Sequence, residues 1–181
     1  MHTCWYRANA LFTFASTVLA VLCILCTLSD QVHRSNPGVQ VDLAGFDGLH
    51  KEFGTDKAFV VLNFTADLRD TFTWNTKQVF LYVMVEYSTS RHHFNQMMLW
   101  SQIIERKEDA LIRRPLLRAE YPHVITDKGT NLRDMPFNVT VAWNNMPIVG
   151  LLTTERKTFT GFKFPPEYQR PNPQLQQQYR L

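Results

Sequence analysis

The segment Ser88-Thr89-Ser90-Arg91-His92-His93 places hydroxyls beside imidazoles. A nucleophilic hydrolase needs such a pair, but it assembles the pair in space from distant parts of the chain, so adjacency is no signature. No Gly-x-Ser-x-Gly elbow accompanies it, and the segment reads as a polar hairpin loop. Asp67 and Asp70 flank Leu68-Arg69 and offer two carboxylates for acid–base work; at the end of a strand they read as solvated turn residues. His92-His93 has no cysteine or carboxylate at metal-ligand spacing. Cys23 and Cys26 have CxxC spacing inside an apolar run, where two small residues of a membrane helix are the simpler reading than a redox or metal site. Seven dispersed glycines form no phosphate-cradling loop. The expectation is no catalytic residue, no metal and no cofactor.

Composition narrows the class. A net charge of +3 over 181 residues argues against a nucleic-acid partner and against a polybasic membrane patch. Thirteen Phe, six Tyr and four Trp favour sheet. All three cysteines precede Asp30, so the rest of the chain has no thiol with which to form a disulfide.

Ala8 to Leu28 carries no charge. That is about 21 residues, the length a helix needs to cross a hydrocarbon core. Its ten Leu, Ile, Phe and Val residues contribute about −3 to −6 kcal/mol toward insertion, against the cost of Asn9 and several hydroxyls. A cleaved signal peptide and a buried core helix are the alternatives. The length of the run, the weak cleavage site at Thr27-Leu28-Ser29 and the absence of a charged face favour an uncleaved signal-anchor. Arg7 and Arg34 flank the span almost evenly. Two glycosylation sequons, Asn63-Phe64-Thr65 and Asn138-Val139-Thr140, both follow it and favour a cytosolic residue 1–7 segment with a lumenal C-terminal domain. Within the span, Asn9, Thr13, Ser16, Ala20, Cys23 and Thr27 recur at heptad-like spacing and form a small or polar stripe. Such a stripe suits packing against another membrane helix; the alternative is that its hydroxyls bond back to their own helix carbonyls.

The remaining chain must position whatever the protein presents. Residues 29–38 read as a juxtamembrane linker, 39–164 as a β domain and 165–181 as a Pro/Gln-rich tail. Val39, Val41 and Leu43 alternate with polar residues, as in a half-buried strand, and Gly45, Gly48 and Gly54 then mark a loop. Val60, Leu62, Phe64, Ala66 and Leu68 share one face of a second strand. Gln78 to Ser88 is apolar on both faces, which predicts a central strand covered on its outer side by another element or a partner. Phe94 to Ile104, Phe137 to Trp143 and Thr158 to Phe164 also fit strands. Ala110 to Ala119 fits a short helix interrupted by Pro115. The fold expected is mainly β: one N-terminal transmembrane helix followed by an antiparallel β-sandwich-like domain.

Several blocks carry a resemblance. Asp67-Leu68, Phe72-Thr73-Trp74-Asn75-Thr76-Lys77-Gln78-Val79-Phe80-Leu81-Tyr82 and Glu86-Tyr87-Ser88-Thr89 form the first, and Gln96-Met97-Met98-Leu99-Trp100 with Ile103-Ile104 the second. Asn138-Val139-Thr140-Val141-Ala142-Trp143-Asn144, followed by Pro147 and Gly150, is a third, and Arg7-Ala8-Asn9 leads into the span. Over nearly the whole chain these resemble the signal peptidase complex subunit 3 family; the Gln-rich tail lies outside the pattern. The resemblance implies a non-catalytic accessory subunit in the endoplasmic reticulum membrane. Its lumenal domain would pack against and support a separate catalytic subunit that carries the serine nucleophile, with the other subunits of the complex as further partners. It implies that Asn138 matches the family's sequon. Trp74, Asn75, Lys77 and Gln78 are candidates for the partner surface; alternatively Trp74 is core and Asn75 makes a turn. The competing readings are a membrane-anchored or secreted β-sandwich binding protein without enzymatic activity, and a membrane-anchored hydrolase. Antibody-like sandwiches usually pair core cysteines, and those are missing here.

Overall fold

The computed structural model describes residues 3–33, 35–119, 124–129 and 132–170. Helix α1 runs Cys4–Val32, about 43 Å at the usual rise. Eight strands follow: β1 Gly38–Glu52, β2 Thr55–Asp67, β3 Thr76–Tyr87, β4 Asn95–Ile104, β5 Leu111–Arg118, β6 Ile125–Lys128, β7 Pro136–Pro147 and β8 Thr153–Lys163. All pairings are antiparallel. One sheet has the order β1-β2-β5, with β6 beside the first residues of β2, and the other has the order β4-β3-β7-β8.

The alternation read from the sequence is what closes the sandwich. Val60, Leu62, Phe64 and Ala66 of β2 with Leu68 just after it, Val79, Leu81, Val83, Val85 and Tyr87 of β3, and Phe137, Val139, Val141 and Trp143 of β7 are buried in one core. At one end Phe164 packs on Phe137 and Tyr87, with centroids 4.5 and 6.3 Å away. Polar groups tie the ends of the sandwich. Asp47 is buried and ion-paired with Arg118. Buried Asp56 accepts from Tyr168 Oη at 3.0 Å and from the Leu132 amide at 3.4 Å.

Three expectations are corrected. The stretch around Gly45 and Gly48 is not a loop: β1 continues through it to Glu52, absorbing the glycines as two register shifts against β2. The strand ends in a two-residue turn in which Phe53 and Gly54 both have positive φ, 48° and 79°, the geometry that suits a right-twisted hairpin. Ala110–Ala119 is not a helix. After a 3₁₀ turn at Lys107–Ala110 it becomes β5, which among the described residues pairs on one side only, and Pro115 is tolerated at the bulge opposite Leu62–Phe64. There Leu116 takes φ 54° and its amide donates to Asn63 Oδ1 at 3.1 Å. The short strand β6 lies in a stretch where no element was expected. Of the segment after Pro165, the described residues turn back along β1, with mutual backbone hydrogen bonds between Leu49 and Gln169; Pro171–Gln178 lies outside the described residues.

Candidate functional site

The Trp-Asn block lies where α1 meets the sandwich. Asn75 is buried, and its amide makes three contacts. Nδ2 donates to Val149 O at 2.8 Å and to Asp30 Oδ2 at 3.3 Å, while Oδ1 accepts from Val149 N at 3.1 Å. The Asn75 carbonyl accepts from Ile148 N at 2.7 Å. One side chain therefore fixes the β7–β8 loop and the end of α1 together. Thr73 Oγ1 donates to the other oxygen of Asp30 at 2.8 Å. His33 Nε2 and the Asp70 carbonyl are 2.8 Å apart, and Asp70 Oδ2 accepts from the Asn36 amide at 3.0 Å. Gly150 lies so close to α1 that a Cβ there would meet Thr27 at 3.1 Å.

Trp74 is not core: it is 71% exposed. With Val149 it lines a groove against Leu22, Cys23, Leu25 and Cys26 of α1. Lys77 is exposed. Gln78 is half-buried, with Nε2 3.2 Å from Met146 Sδ. Gln78 begins the outer row of β3, which continues through Phe80, Tyr82 and Met84. These three are half-buried between neighbouring strands, and the Phe80 and Tyr82 rings stack at 5.4 Å. Met98 and Ile103 of β4 extend this apolar outer face.

The residues weighed for chemistry are held apart. Ser88, Ser90, His92 and His93 are exposed in the β3–β4 loop, whose turn is closed by Thr89 N to His92 O at 2.8 Å. Asp67 and Asp70 do separate work. The Arg69 side chain and amide, hydrogen-bonded to Asp67, hold that carboxyl down at about 2, whereas Asp70 caps the linker. Cys23 and Cys26 are free thiols half-covered at the junction. Among the described residues no three His, Cys, Asp or Glu side chains are gathered for a metal.

Asn63 is exposed on β2, opposite Asp42. Asn138 is half-buried at the far end of the outer face of β7, opposite Glu86, and the Thr140 hydroxyl of its sequon pairs with Thr158 Oγ1 at 3.0 Å. In the membrane stripe, Thr13 and Thr27 bond back to the carbonyls of Asn9 and Cys23, both at 2.9 Å. Cys23 and Thr27 are half-buried, Thr27 against Gly150 of the β7–β8 loop, while Asn9, Thr13, Ser16 and Ala20 are exposed.

Sequence reasoning missed Asp30, Thr73 and the Ile148–Leu152 loop. A signal for the loop existed: no charge occurs from Pro136 to Thr154, far longer than β7 itself requires.

An apolar helix long enough to cross a membrane, locked by a buried asparagine to an antiparallel sandwich, defines a helix-tethered β-sandwich domain. Residues 1–167 match the family model described as signal peptidase subunit, and the chain belongs to that family. It is similar to signal peptidase complex subunit 3 of Dictyostelium discoideum, 31% identical over 94% of this chain and 98% of that protein. The subunit 3 proteins of Gallus gallus and Homo sapiens are 33% and 30% identical, each over 84% of this chain and 87% of theirs.

Proposed function

We propose that this chain is a non-catalytic accessory subunit of the signal peptidase complex in the endoplasmic reticulum membrane. It crosses once through α1, with the N-terminus cytosolic and the sandwich lumenal, and supports removal of signal sequences by packing against and stabilising the catalytic subunit. The observation that carries the reading is the family match along residues 1–167, which takes in the helix, the junction and the sandwich as one unit. The outer face of the β4-β3-β7-β8 sheet supplies the packing surface, with Lys77, Gln78, Phe80 and Tyr82 toward the partner; a strand apolar on both faces needs a second cover. Trp74 lies at the edge of this surface, and Asn75 acts from behind it by holding the junction. Asn138 and Asn63 are the glycan acceptors. The exposed part of the stripe, Asn9 to Ala20, meets a helix of the complex.

The test is affinity purification of the tagged full chain from gently solubilised microsomes. The eluate should cleave the signal sequence from a secretory precursor, and Phe80→Asp with Tyr82→Asp should lose that activity from the eluate while the chain still folds. A wild-type eluate with no cleaving activity refutes the reading. In intact microsomes, digestion of the sandwich by added protease refutes the orientation. Asn138→Gln should remove one glycan-sized mobility step.

A further inference from the structure

The end of the sandwich that adjoins α1 is divided in chemistry. On one side the 3₁₀ turn Lys107–Ala110 and its neighbours carry Arg106, Lys107, Glu108 and Asp109. On the other side Trp74, Ile148, Leu151 and Leu152 are 71, 66, 74 and 53% exposed, with no charged residue in the loop that holds the last three. Water is a poor solvent for four large apolar side chains clustered at one rim.

Their height relative to α1 identifies the medium that covers them. Trp74 and Val149 face the turns from Leu22 to Cys26 across a shared groove, and Gly150 abuts Thr27. The uncharged run of the helix ends at Leu28. At 1.5 Å per residue, Cys23 and Thr27 lie roughly 2 to 8 Å inside that end. The loop is therefore at the depth where the helix itself is still apolar. Three hydrogen bonds between the loop and Asn75, through Ile148 N, Val149 N and Val149 O, together with the contact at Gly150, prevent it from lifting away. An amphipathic ring at the headgroup level is the usual place for a tryptophan beside a span, and apolar faces of interfacial elements sink to a similar depth, roughly 5–10 Å.

We propose that Trp74 and the Ile148–Leu152 loop are seated in the bilayer leaflet on the side of the sandwich, with lipid acyl chains filling the groove between Trp74 and the Leu22–Cys26 face of α1. The domain is thus a membrane-wedged one, held at the surface by its own loop as well as by the span. This rests on α1 being a membrane span.

The experiment uses the full chain reconstituted alone in phosphatidylcholine vesicles, with Cys4, Cys23 and Cys26 replaced by alanine. A nitroxide is attached in turn at Leu151→Cys, at Ile148→Cys, at Val18→Cys in mid-helix and at Phe53→Cys, the 99% exposed hairpin tip. Relaxation by oxygen, which partitions into lipid, is compared with relaxation by a water-soluble nickel chelate. At positions 148 and 151 the nickel effect should be lost and the oxygen effect retained, as at 18 and opposite to 53. Nickel relaxation at 151 equal to that at 53, with 18 protected, overturns the loop seat and leaves the span intact. Protection from both reagents at 151 means that protein covers the loop and also overturns the proposal. Nickel relaxation at 18 refutes the span reading itself, and the proposal falls with it.

Discussion

Replacing Asn75 with alanine removes one buried amide and three hydrogen bonds from the junction, those to Val149 O, Val149 N and Asp30 Oδ2. Each contributes about 1 kcal/mol net, so the loss comes to roughly 3 kcal/mol. That is a large part of the ~5–15 kcal/mol by which a domain is stable. At ~2–4 °C per kcal/mol for a chain of this size, the apparent Tm should fall by about 6–12 °C. The assay is thermal unfolding of the full chain in detergent, followed by circular dichroism in the sheet band. Asn75→Asp sharpens the test. It keeps an oxygen for the Val149 amide but faces Asp30 and the Val149 carbonyl with a second carboxylate. At neutral pH it should be less stable than Asn75→Ala, and it should recover as the pH falls and the new carboxylate gains a proton with which to donate. An Asn75→Ala variant within about 2 °C of wild type would show that the amide does not hold the junction. An Asn75→Asp variant insensitive to pH would refute the contact with Asp30.

Asp67 is held at about 2 against an ordinary 3.8. A depressed carboxyl stabilises the fold above its ordinary value and loses that contribution as the pH falls through the folded one; the stability gap between wild type and Arg69→Ala should thus be present at pH 6 and close between pH 4 and 2, with the Asp67 carboxyl carbon in NMR titrating higher in the variant than in wild type. Gly150 has φ 119° and faces Thr27, so Gly150→Ala should destabilise the junction by about 1–3 kcal/mol, read as faster proteolysis of the β7–β8 loop; an unchanged rate would contradict the close approach. Ser16→Leu with Ala20→Leu should weaken recovery of partner subunits, while Val18→Leu with Val21→Leu should not, and equal recovery would leave the stripe without a packing role.

What could be read from the sequence follows from which forces act locally. Strand β2 declared itself because Leu62 to Asp67 alternate apolar with polar, and β3 because its apolar faces are both full. The second half of β1 did not, since glycines at bulges look like loop until a partner strand is known to absorb the extra residues. Leu111-Ile112-Arg113-Arg114-Pro115-Leu116-Leu117 has paired apolar residues four or five apart and imitates a helix. It is a strand because β2 offers it an edge and the Asn63 side chain satisfies the bulge. The Trp-Asn block was conspicuous, but the task of Asn75 was not, for its partners lie 45 residues before it and 74 after it. No local pattern specifies such a contact.

The junction also has a mechanical consequence. From Gly38 to the turn at Phe53, β1 extends 15 residues away from the helix, roughly 45–50 Å at ~3.3 Å per residue. Because Asn75 and Gly150 couple sandwich to helix, that hairpin is the long arm of a lever whose short arm is the apolar helix. A span tilts by ~20° to match the local hydrocarbon thickness, and a 20° tilt displaces the tip sideways by roughly 15 Å. If α1 spans a membrane, a change in bilayer thickness is thereby converted into a lateral movement of Phe53, transmitted through the contacts of Asn75 and Gly150.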